Sequence, residues 1–309
     1  MKLYDSLVIG SGPAGATAVL YLVRAGCSVA WVERLSPGGQ MLLTEAIDNY
    51  PGFPDGIKGW ELADKMTAQL AHYSPDRYHQ SVLAIEVDTG RHAVTLENEQ
   101  IIAKTVIICS GASHRKLGLP NEEKLVGRGI SYCALCDGNF FKDQDIAVVG
   151  GGNSALEESL YLARLVRKLY LIHRRDAFRA DKIYQDKVLS LTDTIQPVLN
   201  TVITAINGGN ALESLSLRNV QTQEERELKV DGLFVFVGFQ PQGQCLPAGL
   251  ALDEQGFIIT DAEMRTNLPG IYAAGDIRSK LCRQVATAVG DGATAGHAAS
   301  IYLEQLHVY

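Results

Sequence analysis

Positive charge is in short supply in this chain: 28 Lys and Arg stand against 35 Asp and Glu, leaving a net charge of −7. A surface of that sign does not neutralise phosphates in series, so no nucleic-acid partner is expected. Apolar residues never run long enough to cross a bilayer, which argues against a membrane protein. No basic segment, long apolar core or small-residue cleavage site precedes the first strand pattern, Leu7-Val8-Ile9, so a signal peptide is not expected either. Six cysteines in 309 residues are too few for a disulfide scaffold and fit a reducing cytoplasm. Histidine is equally sparse. No two of the 7 stand at ligand spacing and no second CxxC exists, so no metal is expected. His114 and His297 read as surface or packing residues, and Trp31 and Trp60 as core.

Against that background one short segment carries chemistry. Cys133-Ala134-Leu135-Cys136-Asp137 sets two thiols at the spacing of thiol-disulfide motifs, where the pair can close a ring and one sulfur can be activated as a thiolate. It lies between two glycine-rich fingerprints. The first follows a strand pattern over Asp5 to Ile9 and runs Gly10-Ser11-Gly12-Pro13-Ala14-Gly15 into an apolar helix over Ala16 to Arg24. Such glycines let the backbone turn tightly and approach a pyrophosphate, which then meets the free N–H groups of the helix N-terminus. The next strand, Ser28 to Val32, ends in Glu33, where a carboxylate can accept from an adenosine ribose.

The second fingerprint repeats this layout with strand Asp145 to Val149, turn Gly150-Gly151-Gly152-Asn153-Ser154-Ala155, helix Leu156 to Leu165 and strand Lys168 to Ile172. His173 stands as far beyond Ala155 as Glu33 does beyond Gly15. The ribose carboxylate is thus replaced by His173-Arg174-Arg175, with Arg179 as a further cation. Guanidiniums bind a 2′-phosphate that a carboxylate would repel, so this site reads as one for NADPH. A hydride donor and a dithiol need a carrier that exchanges one and two electrons, and flavin in the first site is the economical choice. Near the C-terminus, Ile271-Tyr272-Ala273-Ala274-Gly275-Asp276 ends a strand-like run, and Asp276 could bond the ribityl chain of FAD. Further runs, Val106 to Cys109 and Leu233 to Val237, lead into glycine turns at Ser110-Gly111-Ala112 and Gly238.

These motifs, in this order, resemble the low-molecular-weight bacterial-type thioredoxin reductases nearly end to end. Carrying the resemblance are GSGPAG (Gly10 to Gly15), GGQ (Gly38 to Gln40), NYPGFP (Asn49 to Pro54), SGA (Ser110 to Ala112), CALCDG (Cys133 to Gly138), GGGNSALEE (Gly150 to Glu158), HRRDAFRA (His173 to Ala180) and AAGDI followed by RQVATAVGDG. It implies an FAD domain made of both chain ends, an inserted NADPH domain holding the CxxC, a homodimer, and thioredoxin as electron acceptor. It also implies that Cys136 takes electrons from the flavin, that Cys133 attacks the partner disulfide, and that Asp137 serves as general acid/base. Asp137 suits a helix N-cap as well. Gly39, Gln40 and Asn49 match positions near the flavin, Arg283 and Gln284 match the segment that closes over its ring, and Arg34 is a further expected cofactor-binding residue. Cys282 departs from the pattern, which has an aromatic residue there, and reads as a small residue filling an apolar space.

The expectation is an α/β protein of two Rossmann-like three-layer domains. Residues 1–113 and 247–309 form the discontinuous FAD domain and residues 114–246 the NADPH domain, with crossings near Ser113-His114-Arg115-Lys116 and Gln240-Pro241-Gln242-Gly243. Between them, Val82 to Leu96 and Thr201 to Leu228 alternate as antiparallel strands do. Because the disulfide and the NADPH site share one domain yet both address one flavin, that domain is expected to rotate between half-reactions. Rival readings are a dithiol oxidase passing electrons to oxygen, a reductase of another redoxin, and a non-catalytic flavin sensor.

Overall fold

The structure, a computed structural model, describes residues 2–43, 47, 49–243 and 245–306. It divides into two compact units, residues 1–113 with 240–309 and residues 114–239. The first unit resumes at Gln240, where 247 was expected, within the short strand that pairs with residues 112–114.

The first unit opens with β1 (Leu3–Ile9), α1 (Pro13–Arg24) and β2 (Val29–Val32), followed by α2 (Gly59–Ala71) and β3 (Asp76–Tyr78). Then come β4 (Val82–Glu86), β5 (His92–Leu96), β6 (Gln100–Ile108) and β7 (Ala112–His114). The inserted unit holds β8 (Ile130–Ser131), α3 (Ala134–Asp137), β9 (Asp145–Gly150), α4 (Asn153–Leu162), β10 (Lys168–Ile172), α5 (Lys182–Ser190) and β11 (Ile195–Val198). It continues through β12 (Thr201–Asn207), β13 (Ser214–Asn219), β14 (Glu225–Lys229) and β15 (Gly232–Phe236) to β16 (Phe239–Pro241), which pairs with β7, so the outgoing and returning crossings are joined by a short ladder. Last come β17 (Ile271–Ala273) and α6 (Val285–Leu306).

Both units are built on one plan. In the first, β3-β2-β1-β6 run parallel, β17 adds to β6, and the antiparallel β5 and β4 extend the sheet. Successive residues of a strand face opposite sides. Val8 and Ile107 therefore pack under α1 and α6, while Leu7 and Ile108 pack on the far side with Ile85, Val94 and Ile258. In the inserted unit the five parallel strands β11-β10-β9-β15-β8 do the same. Ile146 and Val148 pack under α4 and α5, whereas Ala147 and Val235 meet the antiparallel layer β12-β13-β14. Each unit is thus a three-layer Rossmann-like fold.

Two expectations about packing fail. Trp31 is buried, at 3%, but Trp60 is 53% exposed. Helix α2 buries Gly59, Leu62, Ala63 and Leu70, and Trp60 projects from the other side of that stripe. Cys282 is also exposed: it follows the fully exposed Leu281 in the loop before α6 and fills no apolar space.

Candidate active site

The redox motif sits where β8 hands over to α3. Cys133 and Cys136 are joined as a disulfide with Cα atoms 5.3 Å apart, and both are half-buried. Cys133 is the N-cap of α3, extended in backbone, and its Sγ accepts from the Cys136 amide at 3.2 Å. Asp137 makes no cap bond. Its Oδ2 instead accepts from the Ser131 hydroxyl at 2.6 Å, and the same Oγ accepts from the Cys133 amide at 3.0 Å. Ser131 is 3% exposed, so the carboxylate is held from beneath the disulfide turn. No motif reading singled out Ser131, because its role depends on how β8 meets α3.

The second fingerprint lies in the same unit. Gly150 occupies the end of β9 where a Cβ would meet the Phe236 carbonyl at 2.6 Å, so only glycine lets β9 and β15 end side by side. Gly152, the N-cap of α4, has nothing within 4 Å of its would-be Cβ, leaving the approach to the helix N-terminus open. Asn153, expected to face a cofactor, ties α4 to α5: its amide donates to Asp181 Oδ2 at 2.9 Å and accepts from the Asp181 amide at 2.7 Å. Ser154 is exposed and Ala155 buried.

His173 is not a surface replacement for a ribose ligand. At 6% exposure it fills the space beside Gly151, whose Cβ would lie 2.3 Å from its ring, and it packs 5.6 Å from Phe178. Burial, then the Arg179 and Arg175 cations, push its imidazole down from the ordinary value, which favours the neutral form. Arg174, Arg175 and Arg179 are exposed, and among the described residues none of them is in a recorded ion pair. They form a cationic rim beside the open Gly152.

The first unit repeats the cradle. A Cβ on Gly10 would meet the Cys109 carbonyl at 2.4 Å and one on Gly15 the Gly10 carbonyl at 2.0 Å, while Gly12, N-cap of α1, faces open space. Pro13 starts the helix, as suits a residue without an N–H, and Ala14 is buried beneath. Glu33 is bound into the loop, with Oε2 accepting from Ser11 N and Oγ, both at 2.9 Å, and Oε1 from Leu35 N at 2.9 Å. Arg34 is exposed. Gly39 and Gln40 open a 3-10 turn and are exposed, and Gly39 approaches Gly12 closely. Asn49 and Gln284, distant in sequence, meet through an amide hydrogen bond of 3.1 Å. Gly111, at φ 74°, has open space at its Cβ position.

Asp276 follows β17, after Gly275 at φ 79°. Its Oδ1 is buried with no hydrogen-bond partner among the described residues, and burial pushes its carboxyl up. Arg283 turns inward, donating to the carbonyls of Asp276, Lys280 and Arg278 at 3.1–3.3 Å and lying over Phe257. An orphaned acceptor of this kind beside a glycine cradle fits a polyhydroxylated cofactor.

Two glycine-rich cradles and a CxxC disulfide define an oxidoreductase that moves electron pairs between a nucleotide and a dithiol. Comparison with known proteins sharpens this. Residues 4–292 match the model of the pyridine nucleotide-disulphide oxidoreductases. A thioredoxin reductase of Listeria innocua is 44% identical over 305 residues, 99% of this chain and 95% of that one. The crystal structure of thioredoxin reductase from Streptococcus pyogenes MGAS5005 superposes with a TM-score of 0.91 at 45% identity, covering 98% of this chain and 99% of that one. That of Lactococcus lactis in its FR conformation superposes with a TM-score of 0.69 at 42% identity, with 98% and 99% covered. The chain belongs to the pyridine nucleotide-disulphide oxidoreductases and, among them, to the low-molecular-weight thioredoxin reductases, whose cofactors are FAD and NADPH.

Proposed function

We propose that the chain carries electron pairs from NADPH, through FAD and the Cys133–Cys136 disulfide, to thioredoxin, each cofactor held by one of the two cradles. The observation that carries this reading is the half-buried disulfide in the same unit as an open Gly152 and the Arg174, Arg175 and Arg179 rim. Gly150 and Gly152 would admit the NADPH pyrophosphate and the arginines its 2′-phosphate, with His173 supporting the loop from below. Gly10, Gly12 and Gly15 would admit that of FAD, with Glu33 at its ribose and Asp276 at its ribityl chain. FAD supplies a carrier able to exchange electrons with both a hydride donor and a dithiol.

At the disulfide, two electrons open the Cys133–Cys136 bond. Cys133, as thiolate, attacks the partner disulfide and forms a mixed disulfide while the partner's leaving sulfur takes a proton. Cys136 then attacks Cys133 Sγ, which restores the original bond and frees the partner as a dithiol. Asp137, held by Ser131, moves the protons. The inserted unit rotates about the paired crossings β7 and β16 so that nicotinamide and disulfide take turns at the flavin. A homodimer in the cytoplasm completes this reading.

Anaerobic titration with NADPH and, separately, NADH tests it. NADPH should bleach the flavin and generate two thiols, lost in Cys136→Ser. If only an added dithiol bleaches the flavin, the dithiol oxidase reading replaces this one.

A further inference from the structure

The loop between β17 and α6 holds a charged cluster that the redox chemistry does not use. Asp291, on α6, takes the Arg278 guanidinium on Oδ1 at 2.9 Å and the Lys280 ammonium on Oδ2 at 2.8 Å. Its Oδ2 also accepts from the Gly275 amide at 3.0 Å, at the base of the Asp276 turn. All three side chains are nearly buried, at 10–12% exposure. Buried charges of this kind persist only when paired.

The two cations differ in what else holds them. Arg278 also donates from Nε to Thr260 Oγ1 at 2.7 Å, whereas the second side-chain partner of Lys280 among the described residues is Thr287 Oγ1, at the longer distance of 3.2 Å. Lys280 is also within electrostatic reach of the neighbouring Asp276 carboxyl, which it draws down against the larger upward push of burial. Asp276 Oδ1 is buried and has no hydrogen-bond partner among the described residues. Two carboxylates thus compete for one flexible ammonium, and Asp291 holds it.

We propose that Asp291 is a positioning residue for the flavin: by retaining the Lys280 ammonium it keeps Asp276 Oδ1 open to a hydroxyl of the cofactor. Without Asp291 the ammonium, left with Thr287 Oγ1, turns to the Asp276 carboxyl on which it already acts and occupies the acceptor that the cofactor needs. This rests on the reading that Asp276 faces FAD, and the test separates the two.

FAD release from diluted holoenzyme, followed by flavin fluorescence, is compared across variants. Asp291→Asn should release FAD about tenfold more readily, as loss of a buried charged partner implies. Adding Lys280→Met should restore retention to within about threefold of the unaltered protein, because no ammonium is left to invade. Unfolding midpoints separate a merely structural role, in which FAD release and stability move together across the variants, from this one, in which FAD release rises while the midpoint holds. Retention in Asp291→Asn equal to the unaltered protein, or a double variant no better than the single one, overturns the proposal. If Asp291→Asn does not fold, the neutral pair Lys280→Met with Asp291→Leu decides: FAD held supports the proposal and FAD lost overturns it. Asp276→Asn is the control. If it holds FAD fully, the assignment of Asp276 fails; if it loses FAD while Asp291→Asn does not, only the proposal fails.

Discussion

Ser131 and Asp137 form one unit beneath the disulfide: the serine hydroxyl donates to the carboxylate at 2.6 Å and accepts from the Cys133 amide at 3.0 Å. One buried side chain therefore fixes both the Asp137 carboxylate and the Cys133 backbone, the proposed acid and the proposed attacking thiol. Asp137→Asn should lower kcat for thioredoxin reduction by about 10²- to 10⁴-fold, the usual range for a proton-transferring group. Ser131→Ala keeps the carboxylate but frees it to turn, and should cost about tenfold. Steady-state kinetics with thioredoxin, alongside an unchanged rate of flavin bleaching by NADPH, checks both.

The arginine rim should set nucleotide choice. Replacing Arg174 and Arg175 together by Ala should raise KM for NADPH by about a hundredfold or more, since hydrogen bonds to charged groups contribute about 1.5–3 kcal/mol each. KM for NADH should hardly move, because NADH lacks the phosphate. Equal effects on the two nucleotides would place the 2′-phosphate elsewhere.

Two glycines of one loop should behave differently. Gly15→Ala drives a Cβ to 2.0 Å from the Gly10 carbonyl, backbone against backbone, and should destabilise the protein by about 1–3 kcal/mol. Gly12 has φ −69° and open space around it, so Gly12→Ala should fold normally yet retain FAD poorly. Unfolding midpoints and flavin content per chain separate the outcomes.

Glu158 predicts a pH dependence. Burial, helped by Glu157, pushes its carboxyl up to about 7, and its buried Oε2 has no hydrogen-bond partner among the described residues. Between its ordinary value and about 7 the folded state binds more protons than the unfolded one, so stability is full at acid pH and falls as pH rises through about 7. Glu158→Gln removes the penalty and should raise stability at pH 8 by roughly 2–3 kcal/mol, with little gain at pH 4.5. Unfolding of both proteins at the two pH values checks this, and an equal gain at both would refute it.

Locally encoded features were legible in the sequence. Glycine spacing, strand runs and CxxC concern residues that are neighbours in the chain, and β10 begins and ends where its apolar pattern does. Helices α1 and α4 start earlier than the apolar periodicity, at Pro13 and Asn153, because their first turns are made of the fingerprint residues. The antiparallel layers followed from alternation over Val82 to Leu96 and Thr201 to Leu228.

The sequence by itself determined the two dinucleotide folds and the redox pair, since backbone turns and two-residue spacing act over a few bonds. Tertiary structure decided what depends on distant segments meeting. It turned Trp60 outward, exposed Cys282, buried His173 under Gly151, and tied Asn153 to Asp181. It alone brought Ser131 under Asp137 and Asp291 to Lys280. Burial and pairing are properties of the packed surface, and no local pattern of residue types records which charges will share one space.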